Sequence, residues 1–238
     1  MLNLFTNLTK GKDRFVSLMI SLIVMLLLYP VMAELEMLKL YGLVLAVELV
    51  MATYSIGQSR SHLWIAVSLC LPAVALQIVS FAHPTRWTML MGDAAAIAFL
   101  GYVIFVIYRA VLRESSFTEN NVAGAISVYL LIGIFWSVVY SIVAIVQPES
   151  FSSYKIDEVG GMVRYAGGAD FLYFSFVTLA TLGYGDISPK TPLAQTASWV
   201  EGVVGQLFIA ITIASLVGMK VADYQTKARQ KKDTEDKD

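Results

Sequence analysis

From Thr178 to Asp186 the chain reads Thr-Leu-Ala-Thr-Leu-Gly-Tyr-Gly-Asp. The chemistry open to this stretch is that of oxygen ligands. The backbone carbonyls of Thr181, Leu182, Gly183 and Tyr184 can replace the hydration shell of a cation if all of them point to one side. An ordinary strand turns successive carbonyls to opposite sides, so the backbone has to leave the regions that L-residues favour. Gly183 and Gly185 permit this because they lack Cβ. The Thr181 hydroxyl adds an oxygen at the inner end, and Asp186 sets a cation-attracting carboxylate at the outer one. Three more acids, Glu48, Asp93 and Glu201, lie within apolar stretches, where an ionisable group is functional or paired by default. Expected partners for Glu48 and Asp93 are Lys39, Arg86, or the hydroxyls of Tyr54 and Tyr102. Glu201 is expected either to support the loop from behind or to bond its backbone. His62 and His83 read as surface loop residues and Cys70 as core. No nucleophile–base pair or metal-ligand constellation stands out, so an enzyme is not expected.

The elements that must hold this loop are membrane helices. Of 238 residues 57% are hydrophobic and only 15% charged, and the mean hydropathy is +0.68. Soluble domains run at roughly 45–50% and about 25%. The formal net charge of −1 offers no basic footprint for nucleic acid. One cysteine excludes a disulfide framework. Six apolar runs are about long enough to span roughly 30 Å of hydrocarbon: Phe15–Met32, Met37–Ile56, Leu63–Phe81, Trp87–Tyr108, Val122–Val146 and Leu193–Ala222. The first reads as a retained helix rather than a signal peptide, since Val31-Met32-Ala33 is a poor cleavage site. The shorter run Phe171–Leu182 ends in glycines and reads as re-entrant. Lys10, Lys12, Arg14, Arg60, Arg109, Arg113 and the basic residues from Lys220 onward share one side of this arrangement, which puts both termini in the cytoplasm. The polar tail after Asp223 is expected to be partly disordered, and its 15 residues are too few for a core of their own.

With the loop between the last two spans, the segment from Val122 to Ala222 resembles the pore of the potassium channels, whose selectivity filter reads Thr-Val-Gly-Tyr-Gly-Asp. The resemblance implies an all-α membrane protein with six transmembrane helices, a re-entrant pore helix near Ala169–Ala180 and a filter loop. It also implies a homotetramer, since one strand cannot encircle an ion. Residues 1–114 would form a four-helix domain like a voltage sensor, residues 115–223 the pore, and residues 224–238 a short cytoplasmic tail. K+ would bind at Thr181, Leu182, Gly183 and Tyr184, with Gly185 completing the filter, and no cofactor is implied beyond the permeant ion. Tyr184 would brace the filter, the Leu182 side chain would face the pore helix, and Tyr173 would hydrogen-bond Asp186. Leu182 departs from the usual Val or Ile, and Ala180 from Thr or Ser. Gly205 falls where the family has its hinge glycine, whereas Gly202 is expected to serve close packing. Ile209, Ile213, Leu216 and Val217 could form an inner apolar gate.

A voltage-sensing fourth helix needs a basic residue at every third position. Between Trp87 and Tyr108 there is none, and Arg109 and Arg113 come only at the cytoplasmic end. The expected function is therefore a passive K+-selective channel of the plasma membrane, not gated by voltage through its fourth helix. The alternatives are a less selective monovalent cation channel, or a pore subunit needing a separate regulatory partner. Lipid, tension, pH or the filter itself would then set gating.

Overall fold

The computed structural model describes residues 14–35, 37–57, 60–113, 118–152, 156–159, 162–165 and 168–235. In chain order its elements are α1 (Arg14–Glu34), α2 (Leu38–Gly57), α3 (Arg60–Ala82), α4 (Arg86–Arg113) and α5 (Glu119–Val146). A hairpin of β1 (Ile156–Val159) and β2 (Met162–Tyr165) follows, then α6 (Gly168–Leu179) and α7 (Pro192–Glu235). Five stretches are long and apolar enough to cross a membrane: Arg14–Met32, Arg60–Ala82, Arg86–Arg113, Glu119–Val146 and Pro192–Ala222. The remaining expected span, α2, is a helix of 20 residues, and its described apolar part runs from Gly42 to Tyr54. With 12 residues, α6 is too short to cross.

Local sequence explains where the helices begin. Thr118 caps α5, its hydroxyl accepting from the Asn121 amide at 3.3 Å. At α4, Thr85 and Thr88 exchange side-chain and amide bonds of 3.0 and 3.1 Å, a reciprocal cap. Thr191 precedes α7, with Pro192 as the first helical residue, where a missing N–H costs nothing.

The helices pack into one continuous core. It includes Phe15 and Leu22 of α1, Leu49 of α2, Val103 of α4 and Leu131 of α5, and it reaches Leu179 of α6. Of the first four helices, α1 and α4 lie against α5 of their own chain, and α2 and α3 pack onto these two. At one end the Asn120 side chain accepts from the amides of Phe15 and Val16 at 3.0 and 3.3 Å, occupying free N–H groups of the first turn of α1. A second cluster of Tyr140, Phe151, Phe171, Phe174 and Ala194 joins the far end of α5 to α6 and the start of α7.

Two features differ from the sequence reading. The connection after α5 carries an antiparallel hairpin in the register Ile156↔Tyr165 to Val159↔Met162. Its strands flank Gly160-Gly161, a two-residue glycine turn signal that the reading passed over. The polar tail is helical as far as Glu235. No Gly or Pro interrupts the chain from Met219 to Glu235, and Lys, Ala, Arg and Gln are good helix formers, so polarity alone did not imply disorder. The domain boundary at residues 114–115 falls outside the described residues.

The closest approach in this core is at Gly124 of α5. A Cβ there would meet Val111 Cγ2 at 2.5 Å and the Phe15 ring at 3.0 Å. Gly124→Ala should therefore lower stability by about 1–3 kcal/mol through overpacking. Gly42→Ala, with nothing within 4 Å of the new methyl, should not lower it. Thermal unfolding of both variants in detergent checks the pair.

Candidate functional site

The loop begins with the way α6 ends. The Thr181 amide donates to the Thr178 carbonyl at 3.0 Å, and the Leu182 amide to the Val177 carbonyl at 2.9 Å. This pair of bonds is a Schellman closure, which needs a left-handed residue at its turn. That residue is Thr181, at φ 58°. Glycine is usual there, and a β-branched residue at positive φ is an outlier that costs about 1–3 kcal/mol. Gly183 and Gly185 follow at φ 58° and 80°. Left-handed residues thus recur at every second position, 181, 183 and 185. Reversing the sign of φ at alternate residues undoes the strand's alternation and can bring successive carbonyls to one side. Nothing lies within 4 Å of a Cβ built on either glycine, so these positions require glycine for its dihedral angles and not for space. The sequence pointed to the two glycines but gave no sign that Thr181 shares their conformation.

The outer end of the loop is tied back twice. The Tyr173 hydroxyl of α6 donates to Asp186 Oδ2 at 2.7 Å. That bond favours the ionised carboxylate and lowers the Asp186 pKa from its ordinary value. Beyond Asp186, the Ser152 amide donates to the Ser188 carbonyl at 2.9 Å and the Lys190 amide to the Ser150 carbonyl at 2.7 Å. Phe151, which bridges to Pro189, is buried in the aromatic cluster beside Phe171 and Phe174.

Within one chain the loop is otherwise bare. Leu182 is 56% exposed and Tyr184 67%. Within one chain neither is covered by the described residues, so the expected contacts with the short helix are not made there.

Within one chain it is Gly205, and not Gly202, that packs closely. A Cβ on Gly205 would come within 2.8 Å of Leu179 Cδ1 and 3.0 Å of its carbonyl oxygen, whereas Gly202 has open space around it. The helical register turns Gly205 toward the end of α6, so Gly205 has a packing reason of its own. Of the four gate residues, Ile209, Ile213 and Val217 form an exposed stripe at four-residue spacing. Leu216 packs instead against the chain's own core.

The buried acids find partners other than those expected. Glu48 accepts from the Ser21 hydroxyl of α1. Asp93 accepts from Gln77 of α3 at 3.1 Å and from Ser141 of α5 at 2.6 Å. Arg86 caps the end of α5 through the Val146 carbonyl at 3.1 Å. His62 lies on α3 rather than in a loop, with Nδ1 2.8 Å from the Tyr102 hydroxyl. The Lys39 side chain is outside the described residues. Glu201 Oε2 meets the Tyr140 hydroxyl of α5, and its Oε1 lies 2.5 Å from Ser175 Oγ of α6. No motif linked these three residues in the sequence.

The Tyr173 bond carries a test. Its contribution is complete while Asp186 is ionised and is lost as pH falls through the depressed pKa. Tyr173→Phe should therefore move the Asp186 titration midpoint upward, toward the ordinary carboxylate value. NMR of the labelled carboxyl carbon reads that shift, and an unmoved midpoint would remove the bond from the account.

Comparison with known proteins agrees with the position of the loop. Residues 127–221, from α5 through the hairpin, α6 and the loop into α7, match the family model described as an ion channel. Over 49 residues the chain is 47% identical to "Two pore potassium channel c" of Oryza sativa subsp. japonica, a stretch that is 21% of this chain and 11% of that protein. The chain thus matches only a small part of that relative's length. No solved structure matches. Together with five apolar helices of spanning length, the match supports a multi-pass membrane protein that carries an ion-channel domain.

Proposed function

We propose that four copies of the chain assemble around a fourfold axis as a passive channel selective for K+. The observation that carries the reading is the run of left-handed residues at 181, 183 and 185, set between two spanning-length helices. A K+ ion gives up its water in a narrow pore only if oxygens replace that water at similar energy. The carbonyls of Thr181, Leu182, Gly183 and Tyr184 and the Thr181 hydroxyl are those oxygens, one set from each subunit. Fourfold assembly also covers Leu182 and Tyr184, and it surrounds backbone that could not face lipid unsatisfied. Four α6 helices would direct their negative C-terminal ends toward the axis and favour a cation there. Asp186 lines the outer mouth, and Ile209, Ile213 and Val217 form the inner constriction. In this reading α2 is a sixth span, both termini are cytoplasmic, and the protein resides in the plasma membrane.

A less selective monovalent cation channel is the second reading. It draws on Leu182, where related filters carry Val or Ile, and on Ala180, which brings no hydroxyl. Reversal potentials in K+ and Na+ gradients, measured on purified protein in bilayers, separate the two. A reversal potential that follows K+ supports the first.

Gly183→Ala should abolish K+ flux. An L-residue at this φ costs about 1–2 kcal/mol, repeated in each of four subunits. Flux and selectivity that survive the substitution in an assembled tetramer would contradict the filter assignment. A second test concerns the fourth helix. Arg109 lies exposed at its end, over the Phe105 ring at 5.9 Å, and not within the apolar span. Arg109→Gln should leave the conductance–voltage relation unchanged, and a steep relation lost in this variant would establish voltage sensing.

A further inference from the structure

Glu201 is fully buried in α7, one turn before Gly205. Its carboxyl oxygens meet hydroxyls from two other helices, Tyr140 on Oε2 and Ser175 on Oε1. Ser175 Oγ also lies 2.8 Å from the Gly133 carbonyl of α5. Tyr140 and Ser175 are themselves at 0% exposure. Ser175 is held in place because α5 and α6 are in close contact beside it: a Cβ on Gly133 would fall 2.7 Å from the Phe176 ring.

Three oxygen–oxygen contacts at bonding distance require three hydrogens. Tyr140 and Ser175 bring one each, and the Gly133 carbonyl brings none. With an ionised carboxylate, Ser175 would face two acceptors with one hydrogen, leaving a buried pair of oxygens with nothing between them. Among the described residues, Tyr129 of α5 lies within electrostatic range of this acid, and Ser198 of α7 and Thr178 of α6 lie near the Tyr140 hydroxyl.

We infer that Glu201 carries the third hydrogen, and that this proton makes it a positioning residue for the conduction loop. Protonated, it ties α7 to α5 and to the middle of α6. One turn further along both helices, Gly205 meets Leu179. Two contacts one turn apart fix the axis of α6 immediately before the left-handed Thr181. Raising the pH removes the proton, opposes the Ser175 and Glu201 oxygens, and loosens the helix that leads into the loop. Flux should then fall on the alkaline side. The effect on ions rests on the channel reading, whereas the hydrogen count does not.

The test uses full-length protein in liposomes, with Glu201→Gln, Glu201→Ala and Ser175→Ala, read by infrared difference spectra and by K+ flux from neutral to alkaline pH. The expected spectrum has a protonated-carboxyl band at neutral pH that Glu201→Gln removes. Glu201→Gln, which supplies the missing hydrogen at all pH values, should keep the parent's flux at neutral pH and lose the alkaline fall. Glu201→Ala and Ser175→Ala should reduce flux roughly tenfold or more, the scale of buried polar groups left without partners. The inference is overturned if no such band disappears in Glu201→Gln, if that variant is as impaired as Glu201→Ala, or if its alkaline fall persists. A parent that passes no K+ at all would remove the channel reading, and the infrared band would still decide the proton.

Discussion

A threonine at φ 58° is held against its own preference. Strain of about 1–3 kcal/mol persists only where the surroundings leave the backbone no alternative. Much of the structure around α6 supplies such surroundings. Two amide bonds close the helix end over Thr178 and Val177. Leu179, fully buried, seats against Gly205 on one side and belongs to the main core on the other. Past the loop, two more backbone bonds and the Phe151–Pro189 bridge clamp the returning strand to the segment after α5. The strained turn is thus fastened at both ends while the residues between stay bare. That is the arrangement a loop needs if it is to keep its shape yet leave its oxygens free.

The first four helices take part in this support. Their core runs without a break from Phe15 through Val103 and Leu131 to Leu179. At the far end of α4, Tyr108 lies 5.7 Å from Phe208 of α7, ring centre to ring centre. Asp93 ties α4 to α5 through Ser141. This bundle packs against α5, and the apolar part of α4 carries no basic residue.

How much was legible in the sequence follows from how local each signal is. Helix positions were legible because an apolar run of spanning length needs no partner to be recognised. The loop was legible because its glycines sit at fixed spacing within a few residues. Thr181 was not, since its left-handed backbone follows from the closure of α6 and not from its own type. The ends of α6 were legible as well: the short helix expected near Ala169–Ala180 runs from Gly168 to Leu179. The hairpin was overlooked although Gly160-Gly161 marks it.

The sequence by itself determined that the chain carries apolar helices of spanning length, that a glycine-spaced loop sits before its last long helix, and that the apolar part of its fourth helix has no basic residue. Composition and short-range spacing carry those properties, and neither changes on folding. Only the tertiary structure decided which side chains meet. Tyr140 and Glu201 are 61 residues apart in the chain, and Ser175 and Glu201 are 26 apart. Their contact depends on the rotation of three helices about their own axes. The same rotation turned Gly205 toward Leu179 and left Gly202 open, and it set Leu216 against the core while Ile213 and Val217 stayed outside. A residue pattern fixes the period of a helix, but its angle relative to a neighbour comes from packing.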